Sequence, residues 1–372
     1  MPDADLRVAS VQMRDFRTYA RAEAGLGEGL TVVHGANGAG KSNLLEAIYF
    51  GCTARPLRTG NERELIRFGA QATRVVVRLS STAGPHELIV GFEPGQPKRM
   101  SADGAPVERM LDVQERPLLS VFMPDRLELV KGAPGSRRAH VDQLVSAIWP
   151  LRSTDRREYS RVLLQRNALL ASIRAGRASQ VTLPSWDREL AVRAIALREN
   201  REQAVSLVAG PFATRASQLG LNGEAALEYR PRSRASDVEE FLSELAERLP
   251  AELERGFSSH GPHRDELVFS RDGRDLRSYG SQGEQRLALL ALLLAERDVL
   301  AQERRRMPLL LLDDVMSELD ADRRELLASE LAGAGQSVIA TTDLAHVPGA
   351  GAAAVTRLRI SPGAILQEAL AA

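Results

Sequence analysis

The pattern of apolar and polar residues predicts three successive regions along the chain. In the first region, the apolar run Leu30–His34 and the stretches Thr73–Ser80 and His86–Phe92, which alternate or run apolar, predict strands. A glycine-rich turn follows the first of these strands, and residues 41–50 then predict a helix. The pair Asp103-Gly104 has the chemistry of a tight hairpin turn, so this region predicts a small antiparallel sheet beside one helix.

The second region, from about residue 117 to 254, has a helical pattern. Gly176 and Pro184 separate two long helical stretches, and Pro211 is expected to end or kink the second, which starts at Trp186. Neither stretch carries the sustained heptads of a coiled coil, which favours a compact arm. The apolar positions that define the first helix are Tyr159, Val162, Leu163, Leu169, Leu170 and Ile173.

The third region returns to alternating strands and helices. Residues 267–270, 309–312 and Ser337–Thr341 predict strands, and residues 281–303 and 320–331 predict the intervening helices. Strand, helix and strand in this order predict parallel pairing with right-handed crossovers. The expected fold class is therefore α/β.

The composition fits a folded chain without a strong charge bias. The 372 residues are 44% apolar, enough for one large core or two moderate ones. Basic and acidic residues number 49 each, so contact with nucleic acid would need a local positive patch. The single cysteine, Cys52, excludes an internal disulfide. Since the acidic start lacks a signal-peptide core and the longest apolar stretch, 287–295, is too short to cross a bilayer, we expect a cytoplasmic protein.

A phosphate-binding loop is indicated between the first predicted strand and the first predicted helix. Residues 35–42 match the P-loop pattern at every required position. Lys41 would reach the β- and γ-phosphates of ATP, and the Ser42 hydroxyl would bind Mg²⁺. The alternative is an ordinary glycine-rich turn, which the strand–loop–helix context disfavours. The predicted ATP-binding residues are Gly35, Ala36, Asn37, Gly38, Ala39, Gly40, Lys41 and Ser42.

Two carboxylates follow the predicted strand at 309–312. Four leucines precede Asp313 and Asp314, as in a central strand that is buried on both faces. At the carboxyl end of such a strand, Asp313 would hold Mg²⁺ directly or through water, and Asp314 would orient the attacking water. Many ABC ATPases carry glutamate at the second position, so the shorter aspartate favours slow hydrolysis. The alternative is a strand end with two solvated acids.

The start of the helix predicted at 281–303 has two interpretations. Ser281 and Glu284 have the spacing of a capping box, which explains both residues. Ser281, Gln282 and Gly283 also have the position of an ABC signature, which would address the γ-phosphate bound to another subunit. Both interpretations hold together, because a capped helix start is also an anion site.

The order of the motifs is that of an ABC ATPase. The P-loop, the signature and the acidic strand are followed by a D-loop with Ser317 and Asp320. The next predicted strand ends near Thr342, the predicted switch residue, where transporter-like and SMC-like ATPases usually carry histidine. His346 lies four residues further on and is not expected to substitute.

Across essentially the whole chain, the motifs resemble those of the RecF family. Their joint order is specific, although only the P-loop and the signature are decisive alone. Gln282 and Asp314 depart from the broad ABC pattern and are similar to what RecF proteins show. The segments that carry the resemblance are GANGAGKSNLLEAIYF, ELIRFG, VFMPDRLELVKGAPGSRR, QRNALL, GPHRDEL, YGSQGEQR and LLLLDDVMSELD.

The resemblance implies an ABC-type P-loop ATPase head, with a parallel core sheet and a small antiparallel β subdomain, and an inserted α-helical arm. The expected parts are a head segment at 1–116, the arm at 117–257 and a second head segment at 258–372. The implied function lies in DNA repair, replication-fork maintenance and the SOS response. Such a protein binds ATP and Mg²⁺, dimerises on ATP and engages gapped or junction DNA. Its hydrolysis of ATP is weak, DNA-stimulated and used as a switch. The implied partners are DNA, a second copy of the chain, RecR, RecO and RecA, without a membrane.

Two clusters have open roles. The arginines of the segment after the P-loop helix are candidates for DNA phosphate contact, with a solvated charged face as the alternative. In GPHRDEL, Arg264 and Asp265 are expected to pair, and a structural role competes with contact to nucleotide or DNA. The arginine candidates are Arg55, Arg58, Arg63 and Arg67.

The glutamine that ABC heads use at the passage from head to arm has no clear counterpart. Gln114 precedes the expected junction, and Met123 or Asp125 occupies the corresponding place in VFMPD. The role is left unassigned.

Two other classes share some of these features. An SMC-like head needs a long coiled coil between its motif halves, and the segment from Ser42 to Asp313 is too short and lacks heptads. A transporter's ATP-binding subunit would carry a shorter helical insert and need a membrane partner, and the sequence shows no amphipathic anchor. Stimulation of the ATPase by gapped DNA, or copurification with a membrane protein, would separate these classes.

Overall fold

The structure is a computed structural model that describes residues 6–332 and 335–368, apart from the side chains of Pro124, Asp125 and Ala332. Contacts divide the chain into two compact units. The sheet unit comprises Met1–Leu127, Gln218–Gly220 and Glu296–Ala372, and the helical unit comprises Glu128–Ser217 and Leu221–Ala295. The two units divide mainly at 127 and 295. This division does not test the segment limits expected at 116 and 257, which stay a prediction.

The first part of the sheet unit is mostly antiparallel. Its predicted hairpin turn is confirmed, because Asp103 and Gly104 both have positive φ, at 50° and 81°. Six of its strands form a sheet in the order β2-β1-β4-β5-β6-β7. Its elements are β1 (Arg7–Phe16), β2 (Tyr19–Gly25), β3 (Leu30–His34), α1 (Lys41–Thr53), β4 (Thr73–Ser80), β5 (His86–Phe92), β6 (Arg99–Ala102), β7 (Ala105–Pro106) and β8 (Leu119–Phe122).

The middle of the chain is mostly helical, as predicted, and includes a small antiparallel sheet in the order β11-β10-β9. The long second helix does not end at Pro211, since its buried neighbours Val208 and Phe212 hold the helix in the core despite the missing N–H. The elements are α2 (Glu128–Lys131), α3 (Pro134–Ile148), α4 (Asp155–Arg174), α5 (Leu183–Gln218), β9 (Ala225–Arg230), α6 (Val238–Arg255), β10 (Glu266–Arg271), β11 (Arg274–Asp275), α7 (Leu276–Tyr279) and α8 (Gln282–Arg304).

A second sheet, mostly parallel, completes the sheet unit in the order β15-β14-β3-β13-β12-β8. The strand Leu119–Phe122, within the stretch expected to be helical, pairs in parallel with β12. That expectation was wrong at this point because a four-residue apolar run carries no distinguishing period. The remaining elements are β12 (Leu309–Asp313), α9 (Ala321–Ala332), β13 (Ser337–Thr341), β14 (Thr356–Ser361) and β15 (Ala364–Glu368).

The core of the sheet unit forms around α1, which contacts strands of both sheets. Most of this helix is buried, including Leu44, Leu45 and Ile48, so its apolar residues occupy more than one face. Val77 of β4 and Leu311 of β12 belong to the same apolar cluster. The helix that begins at the P-loop is therefore fixed from several sides.

The helical unit has its own core. Tyr159 and Val162 of α4, Leu190 of α5 and Phe241 and Leu245 of α6 pack together in one buried cluster. Within the described residues, no helix is both long enough and apolar enough to cross a membrane.

Candidate functional site

The predicted P-loop lies between β3 and α1. The Lys41 side chain folds back over it, with Nζ donating to the carbonyl oxygens of Gly35 at 2.8 Å and Ala36 at 3.0 Å. Gly35 must be glycine, because a Cβ there would lie 2.3 Å from the carbonyl oxygen of Ile360. The loop is thus held against β14, and its lysine ammonium lies over the turn.

Asp313 ends β12 and is brought beside the start of α1. Its carboxylate is buried and lies beside the Ser42 hydroxyl. Burial raises the pKa of Asp313 above its ordinary value, and nearby Asp314 adds to this. The Ser42 hydroxyl and the positive charges of Arg58 and Lys41 offset the rise only in part. The site therefore favours a cation beside this carboxylate.

Asp314 has a strained backbone and an unsatisfied oxygen. Its φ and ψ of 50° and 24° lie in the left-handed region, which aspartate tolerates better than most residues. Its N–H donates to the carbonyl oxygen of Ala340 at 3.0 Å. Its Oδ1 is buried without a hydrogen-bond partner among the described residues. A buried acceptor in a strained residue is typical of a functional site.

Lys41, Asp313 and Asp314 form one electrostatic group. Lys41 is 7% exposed, and burial lowers the pKa of its ammonium. The charges of Asp314 and Asp313 act in the opposite direction and keep the positive form more favourable than burial alone would allow. One cation and two carboxylates therefore share this edge of the parallel sheet.

A buried glutamate on the P-loop helix, which the sequence analysis missed, binds two arginines beside this site. Glu46 of α1 is 0% exposed and accepts from Arg17 Nε at 2.8 Å and from Arg58 Nη2 at 2.8 Å. Burial alone would raise its pKa, but the hydrogen bonds from both arginines outweigh that effect and lower it. Arg58 Nη2 also donates to Asn43 Oδ1 at 2.6 Å. A charged residue in the apolar run of α1 was the signal, since a buried carboxylate needs a partner.

The four arginines proposed for DNA contact have different surroundings. Arg58 is bound to Glu46, and Arg67 Nε pairs with Asp15 Oδ1 at 2.8 Å. Arg55 and Arg63 are exposed. DNA contact by these residues stays a prediction.

The predicted capping box at the start of α8 is confirmed. Glu284 N–H donates to Ser281 Oγ at 3.3 Å, and Ser281 N–H donates to Glu284 Oε2 at 2.8 Å. The stretch Ser281, Gln282 and Gly283 is exposed and belongs to the helical unit. Its role as a signature stays a prediction.

The D-loop and switch residues follow β12 and β13. Ser317 Oγ donates to the carbonyl oxygen of Asp314 at 2.8 Å. Asp320 is exposed and its carboxylate accepts from the N–H of Arg323, in the first turn of α9. Thr342 is partly exposed directly after β13, which lies between β3 and β12. Ser317 and Thr342 thus follow strands of the sheet that carries the P-loop and the two carboxylates.

The expected pair of Arg264 and Asp265 in GPHRDEL does not form. Asp265 is buried and does not pair with Arg264; its carboxylate accepts from Tyr229 Oη, the N–H of Arg232 and Arg201. That expectation was wrong because Arg264 ends a short 3₁₀ turn whereas Asp265 is extended, so the two side chains leave the backbone in different directions.

The glutamine role at the passage from head to arm remains unassigned. Gln114 is exposed, Met123 is buried, and the side chain of Asp125 lies outside the described residues.

Oxygen donors suited to Mg²⁺ come together at one place. The Ser42 hydroxyl lies beside the Asp313 carboxylate, and hard oxygen ligands are those that Mg²⁺ prefers. In the described part of the chain, no group of three or more His, Cys, Asp or Glu residues could hold a metal alone. This fits Mg²⁺, which usually takes one or two protein ligands together with phosphate and water.

The fold and the site define an ABC-type P-loop ATPase head. A model of an AAA domain matches residues 10–98. Structures of SMC heads share the fold, one from Pyrococcus furiosus with a TM-score of 0.58 at 15% identity, covering 98% of this chain and 97% of that one. The chain itself belongs to the RecF family of DNA replication and repair proteins.

Relatives of that family match along almost the whole chain. RecF from Anaeromyxobacter sp. (strain Fw109-5) is 39% identical, covering 91% of this chain and 93% of the relative. RecF from Myxococcus xanthus is 36% identical, covering 93% of each. A structure of the recombination mediator protein RecF with ATP, of the RecFOR pathway, superposes with a TM-score of 0.87 at 26% identity, covering 99% of each chain. Family membership leaves the transporter and SMC alternatives without support.

Proposed function

We propose that the chain is an ATP-dependent DNA-binding protein of recombinational repair and replication-fork maintenance. The observation that carries the proposal is the cluster of Lys41, Ser42, Asp313 and Asp314 at the carboxyl edge of the parallel sheet. A P-loop lysine, two oxygen donors for Mg²⁺ and a second carboxylate are the parts that an ATP switch needs. Membership of the RecF family gives the switch its place in DNA metabolism.

The loop residues have separate roles in this proposal. Backbone N–H groups of residues 35–42 receive the phosphates at the start of α1, and Lys41 contacts the β- and γ-phosphates. Ser42 and Asp313 hold Mg²⁺, which neutralises phosphate charge when bound. The raised pKa of Asp313 supports this role, since a buried carboxylate gains most from a cation beside it.

Asp314 is the residue proposed to orient the attacking water. Its buried and unpaired Oδ1 supports that role, because such an oxygen can accept a hydrogen bond from water. The side chain is one methylene shorter than the glutamate common in ABC ATPases, so hydrolysis is slow. Weak, DNA-stimulated turnover then serves to release the protein from DNA more than to do mechanical work.

Two chains are proposed to join when ATP is bound. The exposed, capped helix start at Ser281, Gln282 and Gly283 is an anion site that could meet the γ-phosphate bound to a second copy. Ser317 and Asp320 would act at the same interface as the D-loop. Thr342 would sense the γ-phosphate as the switch residue.

The dimer is proposed to bind gapped or junction DNA and to act with RecR and RecO in loading RecA. Support for DNA and for these partners comes from family membership and from the RecFOR pathway named for the related structure. Arg55 and Arg63, which are exposed, are the better DNA candidates of the four predicted arginines. Arg58 and Arg67 already have carboxylate partners.

Sedimentation of the protein with ATP and with ADP, each with and without gapped DNA, tests the proposal. ATP should double the mass, and gapped DNA should cosediment with the ATP-bound form. Lys41→Ala should remain at the ADP mass under every condition. Equal sedimentation with ATP and ADP, and no DNA bound with either, would refute the switch.

A further inference from the structure

The helical unit contains a basic cavity that the ATP site does not use. Its volume is about 630 Å³, within the usual range for a small-molecule or nucleotide site. All of its lining residues belong to the helical unit. The residues that matter for its chemistry are Arg232, Arg248, Arg255, Phe257, Ser259 and Arg264.

The cavity carries positive charge with little compensation. Within the described parts of the chain, Arg232, Arg255 and Arg264 make no ion pair, and Arg248 has only a loose one, 3.8 Å from Glu247. No described residue that lines the cavity is acidic. Glu252 accepts a hydrogen bond from the N–H of Ser259, but it is fully buried and its carboxylate is bound by Arg166. The exposed arginines are therefore available to an anion.

The backbone around these arginines is held in place. Glu252 Oε1 accepts from the N–H of Ser259 at 2.6 Å, and Arg174 Nη1 donates to the carbonyl oxygen of Arg255 at 2.7 Å. Asp265 Oδ1 accepts from the N–H of Arg232 at 2.7 Å. Because the backbone is fixed, only the arginine side chains would have to be ordered when an anion binds.

An exposed aromatic ring lies among the arginines. Phe257 is 42% exposed, although a phenylalanine in a helical unit with its own core is normally buried. Arginine forks suit phosphate oxygens, and an aromatic face stacks on any base. Arginines and an aromatic ring around one cavity are the two elements of single-strand recognition.

We propose that this cavity binds an unpaired nucleotide of single-stranded DNA, with the arginines on its phosphates and the base on Phe257. The inference rests on the proposed DNA-binding function and gives it a location. A base within a duplex is stacked on its neighbours and paired, so its face is not available to a ring in a cavity. The cavity therefore recognises the single-stranded part of a gap, and the duplex part is bound elsewhere.

The test is a titration of the full chain with a labelled short oligothymidylate and, separately, with a duplex, followed by fluorescence anisotropy. The first variant is Arg255→Glu combined with Arg264→Glu, neither of which breaks an ion pair between described residues. Arg161→Glu is the control, since Arg161 is exposed on α4 and does not line the cavity. We expect the affinity of the double variant for oligothymidylate to fall about tenfold or more. The slope of log affinity against log salt concentration should become shallower by about 1.4.

The second variant separates stacking from charge. Phe257→Leu should weaken oligothymidylate binding about tenfold and leave duplex binding unchanged. Phe257→Tyr keeps the ring and should restore binding. Thermal unfolding and ATP titration of each variant should match the parent, because the ring and the guanidinium groups lie outside the P-loop site.

The outcomes distinguish this inference from the proposed function. If the parent binds DNA while the double variant binds oligothymidylate no more weakly than Arg161→Glu does, the cavity is not the site. If Phe257→Leu has no effect, the ring does not stack on a base and the inference is wrong. If polyglutamate displaces oligothymidylate more effectively than unlabelled oligothymidylate does, the cavity fits an acidic protein segment and the inference is also wrong. If the parent binds neither oligothymidylate nor gapped DNA, the proposed function and the inference both fail.

Discussion

The hydroxyl of Ser42 on α1 lies beside the carboxylate of Asp313 at the end of β12 and lowers the pKa of that carboxyl. The two residues are far apart in the sequence. They meet because β3, which leads into the P-loop, and β12 are the two neighbours of β13 in a parallel sheet. The carboxyl ends of parallel strands share one edge, so the loop and the acidic strand form one site.

Asp313→Asn should stabilise the protein at neutral pH in buffer without Mg²⁺. The folded state raises the pKa of Asp313, so its ionised form costs stability once the pH exceeds the ordinary value of 3.8. The free energy of unfolding of the parent should therefore drop below that of the variant as the pH rises through the raised pKa. The difference between the two should vanish at low pH. Urea unfolding of both proteins across pH measures this.

Asp322→Asn, an exposed change on α9, is the control and should alter stability by no more than about 0.5 kcal/mol. A less stable Asp313→Asn protein at neutral pH would mean that the carboxylate is favoured where it lies.

Asp314→Asn should leave ATP binding intact and lower turnover about a hundredfold, because the amide cannot accept the proton of the water. Asparagine also tolerates the left-handed backbone of this position, so the fold should survive. Steady-state ATPase rates and calorimetric titration with ATP are the measurements. Asp313→Asn is the matched comparison and should instead weaken Mg²⁺-dependent binding. Turnover by Asp314→Asn at the parent rate would assign the water to another residue.

Lys41→Ala should abolish ATP binding, since it removes the ammonium that lies over the loop. Calorimetric titration with ATP and Mg²⁺ gives the affinity. Lys131→Ala removes a lysine of the helical unit and should bind ATP as the parent does. Wild-type affinity in Lys41→Ala would disprove the P-loop assignment.

Glu46→Ala should destabilise the protein by about 3 kcal/mol or more, because it leaves Arg17 and Arg58 without their shared carboxylate. The folded state lowers the pKa of Glu46, so its contribution is present above its ordinary value of 4.5 and is lost as the pH falls through the folded value. Denaturant unfolding should show the difference shrinking in acid.

The control for this prediction is Glu28→Ala. The side chain of Glu28 is 88% exposed and pairs with Arg7 at the surface. Its removal should change stability by no more than about 0.5 kcal/mol. Equal effects of the two substitutions would contradict a supporting role for Glu46.

The P-loop, the leucine strand and the capping box could be predicted because each is a contiguous stretch with its own local chemistry. The strands β3, β4, β5 and β13 have the predicted limits for the same reason. The network of Glu46, Arg17 and Arg58 could not be predicted in detail, because its members come from separate elements joined only by packing.

The same limit applies elsewhere in the chain. Asp265 neighbours Arg264 in sequence but binds Arg201 of α5, and no local pattern encodes that choice. Leu119–Phe122 is a strand because β12 lies beside it, and its own four residues do not show a period. Contacts between distant segments decide these features.

In the proposed function, ATP closes a dimer through the start of α8. Ser281 caps that helix, and asparagine caps about as well as serine, so Ser281→Asn should keep the helix and the ATP affinity of the chain. In a signature, however, the serine hydroxyl must fit against a γ-phosphate held by another copy. A bulkier amide should therefore block closure, and Ser281→Arg should do so more severely.

Light scattering at matched protein concentration, with and without ATP, measures this most directly. We expect ATP to double the mass of the parent and to leave Ser281→Asn a monomer, although the variant binds ATP and unfolds at the parent temperature. If Ser281→Asn dimerises with ATP as well as the parent does, Ser281 is a helix cap alone and the proposed dimer interface is wrong.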